Sequence, residues 1–227
     1  MRRLASPLRV RLGLAATLVG LAVWNLLVRP ELASTYHVEG SLLVAVVVVV
    51  IGLWGGLDAD GFGLSPKQLP AGFRYGGIAV AVVTAVVLLG LALPATRASF
   101  HATRAEVDGG QLLLELLITI PLGTVVIEEL AFRGTLLGLL CRLMTPTRAV
   151  LVCSLFFGLW HIDGVVRNTA GSGLHVLAAA LGTFLVTAGA GVGFCWLRLR
   201  SGSLLAPVLA HLAINTIALA LAWIVVH

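Results

Sequence analysis

Six side chains suited to acid–base or metal chemistry lie inside or beside long apolar runs of this sequence. They are Glu128, Glu129, Arg133, His161, His211 and Asn215. Even lenient insertion scales assign a cost of roughly 2.5–3.5 kcal/mol to a charged residue at the centre of a membrane helix. Ionisable residues at that depth are therefore rare, and they mark a functional site by default.

The spacing of these residues predicts which of them share a helix face. Glu129 and Arg133 are four residues apart, so they can form a neutralising ion pair on one face. Glu128 is rotated by about 100° from Glu129 on a helix, which leaves it free for another partner. His211 and Asn215 are also four residues apart and share a face.

Together these groups have the parts needed for hydrolysis. A carboxylate can act as a general base for water, and an imidazole can help to hold and deprotonate that water. A second imidazole and a carboxamide N–H can stabilise an oxyanion. Alternatively, Glu128, His161 and His211 could bind zinc and leave a position for water. The HExxH signature is absent, so the sequence leaves zinc and a metal-free site both open.

The composition predicts the fold that must position these groups. The chain has 227 residues, of which 59% are hydrophobic and 11% are charged, whereas about 25% are charged in soluble domains. We therefore expect an all-α, polytopic bundle of about seven transmembrane helices, or eight if one run is split or re-entrant. The expected spans are about 10–28, 40–57, 73–93, 111–140, 148–162, 173–198 and 203–226.

Helix rise places the polar residues at a similar depth. Measured from the cytoplasmic ends of their spans at about 1.5 Å per residue, Glu128 lies at roughly 18 Å and His161 at roughly 20 Å. His211 lies at roughly 12 Å and Asn215 at roughly 18 Å. Helices four, five and seven are thus expected to contribute to one polar layer near the middle of the membrane.

The positive charges predict the orientation of the chain in the membrane. If the N-terminus is cytoplasmic, the inner segments carry ten bases and the outer segments four, as the positive-inside rule requires. The inner bases are Arg2, Arg3, Arg9, Arg11, Lys67, Arg74, Arg142, Arg148, Arg198 and Arg200, and the outer bases are Arg29, Arg97, Arg104 and Arg167. The net charge of +5 is dispersed between the apolar runs, so no nucleic-acid surface is expected.

Three motifs resemble those of the CAAX protease and bacteriocin-processing family of intramembrane endopeptidases, also called CPBP or Abi proteins. They are Glu128-Glu129-x-x-x-Arg133, Phe157-x-x-x-His161 and His211-x-x-x-Asn215. Their order and approximate separation also agree with the family, over about residues 111–220. Each motif alone is weak, but the ordered set on membrane helices is specific.

The resemblance implies an all-helical membrane protease whose active site opens to the cytosol or the inner leaflet. It also implies three paired roles: water activation by Glu128 and His161, oxyanion stabilisation by His211 and Asn215, and shaping and charge balance by Glu129 and Arg133. The family is often classed with metalloendopeptidases, although a glutamate-dependent mechanism without metal has been argued for its CAAX-processing members. It therefore leaves the cofactor as zinc or none.

We expect residues 1–110 to form N-terminal transmembrane helices and loops, and residues 111–227 to form the catalytic core. The partners are then the lipid bilayer and a peptide, which is a membrane-associated, lipidated or precursor substrate. The general distribution of the family favours a bacterial plasma membrane. Two other functions use the same residue types: a transport or proton-relay protein, and a non-catalytic immunity or scaffold protein.

Overall fold

The computed structural model describes residues 6–97 and 106–227, and those residues form an all-helical membrane bundle. Within these ranges seven helices are long and apolar enough to cross a membrane, and no strand is present. The predicted fold class is therefore confirmed. The helices are α1 (Pro7–Glu31), α2 (His37–Trp54), α3 (Leu69–Ala92), α4 (Gly109–Leu140), α5 (Pro146–Asn168), α6 (Gly173–Ser201) and α7 (Leu205–Val226). Arg2, Arg3 and Arg104, which entered the prediction of the orientation, lie outside the described residues.

Helix α1 begins at a side-chain cap and ends in irregular turns. The Ser6 hydroxyl accepts a hydrogen bond from the Arg9 amide, and Pro7 occupies the first helical position, where no backbone N–H is needed. The helix widens into a π-helical turn at Trp24–Val28 and closes with a 3-10 turn at Arg29–Glu31. It therefore continues slightly past the Arg29-Pro30 end predicted from the sequence.

Helix α3 packs closely against α7 because two glycines face that helix. A β-carbon at Gly72 would lie 3.1 Å from Leu205 Cβ at the start of α7 and 2.6 Å from Ser203 Oγ just before it. One at Gly76 would lie 2.7 Å from Leu209 Cδ1. Small residues allow two membrane helices to approach in this way. The short helix Ala59–Phe62 and a 3-10 turn at Pro66–Gln68 precede α3.

Helix α4 carries the first motif and departs repeatedly from α geometry. A capping box between Asp108 and Gln111 begins it. Three segments are π-helical: Glu115–Thr119, Pro121–Val125 and Glu129–Leu136. Proline has no backbone N–H and disturbs the hydrogen bonds of the preceding turn. Pro121 begins the second of these π-helical segments, and the first ends two residues before it.

Helix α5 is longer than predicted. The sequence placed its end near residue 162, but the helix continues to Asn168. Asp163 and Arg167 form an i, i+4 ion pair, with Arg167 Nε 2.8 Å from Asp163 Oδ2. Such a pair supports a helix beyond its apolar segment. Asp163 therefore lies within α5, although it follows the predicted end of the apolar span.

The centre of the bundle is formed around α4. Thr135 on this helix donates a hydrogen bond to the Val48 carbonyl of α2 at 3.0 Å, and Ser41 of α2 donates to the Gly123 carbonyl at 2.9 Å. The main apolar core contains residues of α1, α2, α4, α5, α6 and α7. Large apolar residues such as Leu185 and Val186 remain exposed on the outside, as expected for a surface in contact with lipid.

Candidate active site

The first motif places three charged side chains in the interior of the bundle. Glu129 and Arg133 have no exposed surface, and Glu128 is 4% exposed. Arg133 Nη1 donates a hydrogen bond to Glu129 Oε1 at 3.0 Å. The ion pair predicted from the i, i+4 spacing is therefore confirmed. A buried carboxylate and guanidinium each lose their hydration, so this pairing is required to offset part of that cost.

Aromatic rings enclose the Arg133 guanidinium. Its central carbon lies 3.9 Å from the ring centroid of Phe157 and 4.8 Å from that of Phe194. Arg133 Nε and Nη2 have no hydrogen-bond partner among the described residues. The negative faces of the rings therefore provide compensation for the part of the positive charge that Glu129 does not reach.

His211 of α7 is fixed by Glu129 and by an aromatic stack. Its Nδ1 lies 2.8 Å from Glu129 Oε1. Because an ionised carboxylate only accepts hydrogen bonds, Nδ1 is the donor. The imidazole stacks on the Phe194 ring with a centroid separation of 5.0 Å and an angle of 24°. These contacts direct the other nitrogen, Nε2, toward Glu128 Oε2 at 3.8 Å.

His161 of α5 presents the same nitrogen to the same oxygen. Its Nδ1 lies 2.8 Å from the Phe157 carbonyl, which can only accept, so Nδ1 carries the hydrogen. Its Nε2 lies 3.8 Å from Glu128 Oε2. The His161 side chain is 28% exposed, in contrast to the other ionisable groups of the site. It is therefore the member of the cluster that a substrate or water reaches most easily.

The Glu128 carboxylate lies at the centre of the site. Its Oε1 accepts a hydrogen bond from the Trp160 indole at 3.0 Å. Its Oε2 is buried, has no hydrogen-bond partner in the described part of the chain, and faces both imidazoles. At 3.8 Å these contacts are too long for direct hydrogen bonds, but one small molecule can bridge them.

Trp160 is the residue whose role the sequence reasoning underestimated. It belongs to none of the three motifs, and an aromatic residue beside His161 favours an interpretation as packing. The structure gives it both functions, because the ring packs edge-on against Phe132 and the N–H binds Glu128. The signal was available, since an indole N–H at membrane depth must find an acceptor.

Asn215 lies one helical turn beyond His211 and is partly exposed. Within the described ranges, no hydrogen bond joins its side chain to Glu128, Glu129 or His161. The structure therefore brings five of the six predicted residues into one contact network and places Asn215 on the same helix as His211. An oxyanion role for Asn215 stays a prediction.

The residues of the site can be judged as ligands for zinc by their spacing. Among residues 6–97 and 106–227, no group of three or more His, Cys, Asp or Glu side chains is arranged to hold a metal ion. The conditional ligands Glu128, His161 and His211 do meet, but each Nε2 is 3.8 Å from Oε2. Two ligands of tetrahedral zinc at about 2.0–2.1 Å are separated by roughly 3.4 Å. The described side chains are therefore spaced somewhat more widely than the ligands of a bound zinc ion.

Fold and site together define a class: a polytopic α-helical membrane protein with a buried glutamate–histidine centre. Residues 110–217 match the family described as type II CAAX prenyl endopeptidase, Rce1-like. The resemblance to the CAAX protease and bacteriocin-processing family is therefore confirmed over this segment of the chain. The segment contains every predicted site residue, whereas α1, α2 and α3 precede it.

A curated relative supports the same family. The human protein CAAX prenyl protease 2 is 36% identical over 87 residues, which are 37% of this chain and 26% of the relative. The match thus spans about a quarter of the length of that protein. No solved structure matches the chain.

Proposed function

We propose that this protein is an intramembrane endopeptidase that hydrolyses a peptide bond of a membrane-associated protein. Prenylated CAAX C-termini are the substrate class that the name of the matching family indicates. The observation that carries the proposal is the unpartnered Glu128 Oε2, which faces Nε2 of both His161 and His211 inside the bundle. A lipidated substrate already lies in the bilayer, so a site at membrane depth is suited to it.

Glu128 and His161 activate the water in this proposal. A water molecule at about 2.8 Å can hydrogen-bond both Glu128 Oε2 and His161 Nε2. Glu128 accepts the water proton while the oxygen forms a bond to the scissile carbonyl carbon. His161 Nε2 orients the water because its Nδ1 hydrogen is already directed to the Phe157 carbonyl.

His211 stabilises the oxyanion that forms, together with Asn215. Since His211 Nδ1 donates to Glu129, its Nε2 can donate only when the imidazole carries both hydrogens. Glu128 and Glu129 bring two negative charges against the single positive charge of Arg133. The oxyanion role requires the ring with a hydrogen on each nitrogen. Glu129, paired with Arg133, holds that ring in place.

The reaction ends when the intermediate collapses. The carbonyl re-forms, the C–N bond breaks, and the proton held by Glu128 passes to the leaving nitrogen. The products are a new C-terminal carboxylate on the membrane-associated part and a released amine on the peptide. The second hydrogen of the water stays on the new carboxyl group and passes to solvent when that group ionises.

The proposal is tested by changing the two adjacent glutamates separately in proteoliposomes that contain a prenylated CAAX peptide. General base catalysis contributes about 10²- to 10⁴-fold, so Glu128→Ala should lower kcat by a factor in that range. Glu129→Ala should also lower kcat, because His211 loses its orienting acceptor. The control is Glu39→Ala, which removes an exposed carboxylate on α2 and should leave the rate unchanged. If Glu128→Ala cleaves as fast as the wild type, the assigned base is wrong.

The metal content of the same preparation decides whether the peptidase reaction uses zinc. A metal-free reaction predicts full activity in protein that contains less than stoichiometric zinc and no inhibition by a chelator. Stoichiometric zinc, together with loss of activity on chelation and recovery on zinc addition, would instead support a metalloendopeptidase.

A cytoplasmic N-terminus and a bacterial plasma membrane belong to this proposal as well. The support for the orientation is the excess of Arg and Lys in the segments assigned to the inside. The chain is an integral, multi-pass membrane protein in either orientation, as its seven apolar helices in the described ranges require.

A further inference from the structure

The contacts of Trp160 reach both the candidate base and a helix outside the family-matching segment. Its indole Nε1 donates to Glu128 Oε1 at 3.0 Å. Its backbone carbonyl accepts a hydrogen bond from Asn25 Nδ2 of α1 at 2.9 Å. The side chains of Trp160 and Asn25 are both buried. Trp160 therefore connects α1 to the centre of the site through two short polar contacts.

The hydrogen bond to Glu128 determines how the carboxylate is oriented. A carboxylate can rotate about its last side-chain bond, which is only weakly restricted. With Oε1 held by the indole, the other oxygen is directed at His161 and His211, each 3.8 Å away. Without that donor, either oxygen could turn toward the imidazoles or bind one of them directly. The indole N–H thus selects the orientation in which Oε2 remains available to a water.

Packing buries the indole but does not determine its hydrogen-bond partner. Trp160 belongs to the main apolar core, and the edge-on Phe132 ring is one contact, with centroids 5.7 Å apart. Trp160 also borders a cavity of about 220 Å³ between α1 and α5, which includes Leu18 and Phe156. The N–H is the polar atom of this otherwise apolar side chain, and Glu128 is the acceptor that it reaches.

Asn25 is well placed to hold the Trp160 backbone. It lies in the π-helical turn Trp24–Val28, and Arg29 Nη1 contacts its Oδ1 at 3.3 Å. The amide oxygen is thus directed at Arg29 and the amide nitrogen at Trp160. Both ends of the Asn25 amide therefore have a partner, and the amide cannot be reversed without losing these two contacts.

We propose that Trp160 is a positioning residue that holds the Glu128 carboxylate in its reactive orientation, and that Asn25 of α1 fixes Trp160 in turn. This inference rests on the proposed peptidase function. It also makes α1 a necessary part of the site, although α1 precedes the segment that matches the family.

The test is a kinetic comparison of Trp160→Phe with a matched control, Trp223→Phe. Trp223 also donates its indole N–H to a single acceptor, the Val107 carbonyl at 2.8 Å, but does so outside the site. For Trp160→Phe we expect kcat to fall about ten- to hundredfold, the range for losing a hydrogen bond to a charged group, while KM changes less than about threefold. Trp223→Phe should leave both constants within about twofold of the wild type.

A second pair of variants tests the contribution of α1. Asn25→Leu should lower kcat about two- to tenfold, because it removes one neutral hydrogen bond to Trp160. Its control is Asn168→Leu, which removes a side-chain hydrogen bond to the Gly164 carbonyl near the end of α5, the helix that carries Trp160. This control should have no effect on kcat. Equal kcat values for Asn25→Leu and wild type would remove Asn25 from the proposal.

The outcomes separate this inference from the function on which it rests. If the wild type cleaves, Glu128→Ala does not, and Trp160→Phe retains the full kcat, the positioning role is wrong and the peptidase stands. If the wild type does not cleave any prenylated peptide, the function fails and the positioning role fails with it.

A thermal-stability cycle gives a readout that does not depend on turnover. Trp160→Phe should cost less stability in a Glu128→Ala background than in the wild type. The reason is that Glu128→Ala has already removed the hydrogen bond that Trp160→Phe would remove. Purely additive losses would show that the two side chains do not interact, and would overturn the inference.

Discussion

Replacing Arg133 by methionine should strongly destabilise the bundle. Arg133 and Glu129 have no exposed surface and are joined by one hydrogen bond of 3.0 Å. Removing the guanidinium leaves the Glu129 charge buried with only His211 beside it. Breaking a buried ion pair in this way costs about 3–5 kcal/mol. For a chain of this length 1 kcal/mol corresponds to about 2–4 °C, so the Tm should fall by roughly 6–20 °C.

The double variant Arg133→Met/Glu129→Gln provides the decisive comparison. It removes the uncompensated charge along with its partner, and neutral replacement of a buried pair is often nearly without cost. We therefore expect the double variant to be more stable than Arg133→Met alone. Stability is followed by intrinsic tryptophan fluorescence during heating in detergent micelles.

The matched control is the second i, i+4 pair, Asp163 with Arg167. Its arginine side chain is 47% exposed, and exposed pairs contribute about 0–1 kcal/mol. Arg167→Met should therefore lower the Tm by less than about 4 °C. The reasoning would be refuted if Arg133→Met and Arg167→Met had equal effects, or if the double variant were less stable than Arg133→Met.

Two further predictions concern the packing and the orientation of the helices. Gly76→Ala should destabilise the protein by about 1–3 kcal/mol in the same melting assay, since its β-carbon would overlap Leu209, whereas the adjacent Gly77→Ala has open space and should be neutral or stabilising. Equal Tm values for the two variants would contradict the assigned α3–α7 contact. Alkaline phosphatase fused after His227 should be active and the same enzyme inserted after Met144 inactive, because the first position is predicted outside the membrane and the second inside. The reverse pattern of activity would show that the orientation is inverted.

The fold was predictable because the membrane restricts the possible structures so strongly. Apolar runs of sufficient length must be helical, and this alone predicted the seven spans found in the described ranges. The ends were less predictable where side chains extend a helix beyond its apolar run. Asp163 and Arg167 lengthen α5 by such a pair, which hydropathy does not register.

The site was predictable to the level of which residues meet, but not how they contact one another. Helical spacing identified the Glu129–Arg133 pair because both residues belong to one helix. The contact between Trp160 and Glu128 joins α5 to α4 and depends on the side-chain orientations of both. Likewise, the Asn25 contact needs α1 to lie beside α5, and no motif in the sequence specifies that neighbour.

Two adjacent glutamates of α4 contact or face one imidazole. On a regular α-helix, successive side chains are about 100° apart, and the sequence therefore predicted separate partners for Glu128 and Glu129. In the structure Glu129 contacts Nδ1 of His211, and Glu128 faces Nε2 of the same ring. The backbone does not explain this, because both residues have α-helical angles, with φ −66° and ψ −43° at Glu128 and φ −70° and ψ −40° at Glu129. The explanation lies in the ring, whose two nitrogens point in different directions. One carboxylate can therefore fix the imidazole while its neighbour stays free for chemistry, a division of roles that helix spacing alone would not predict.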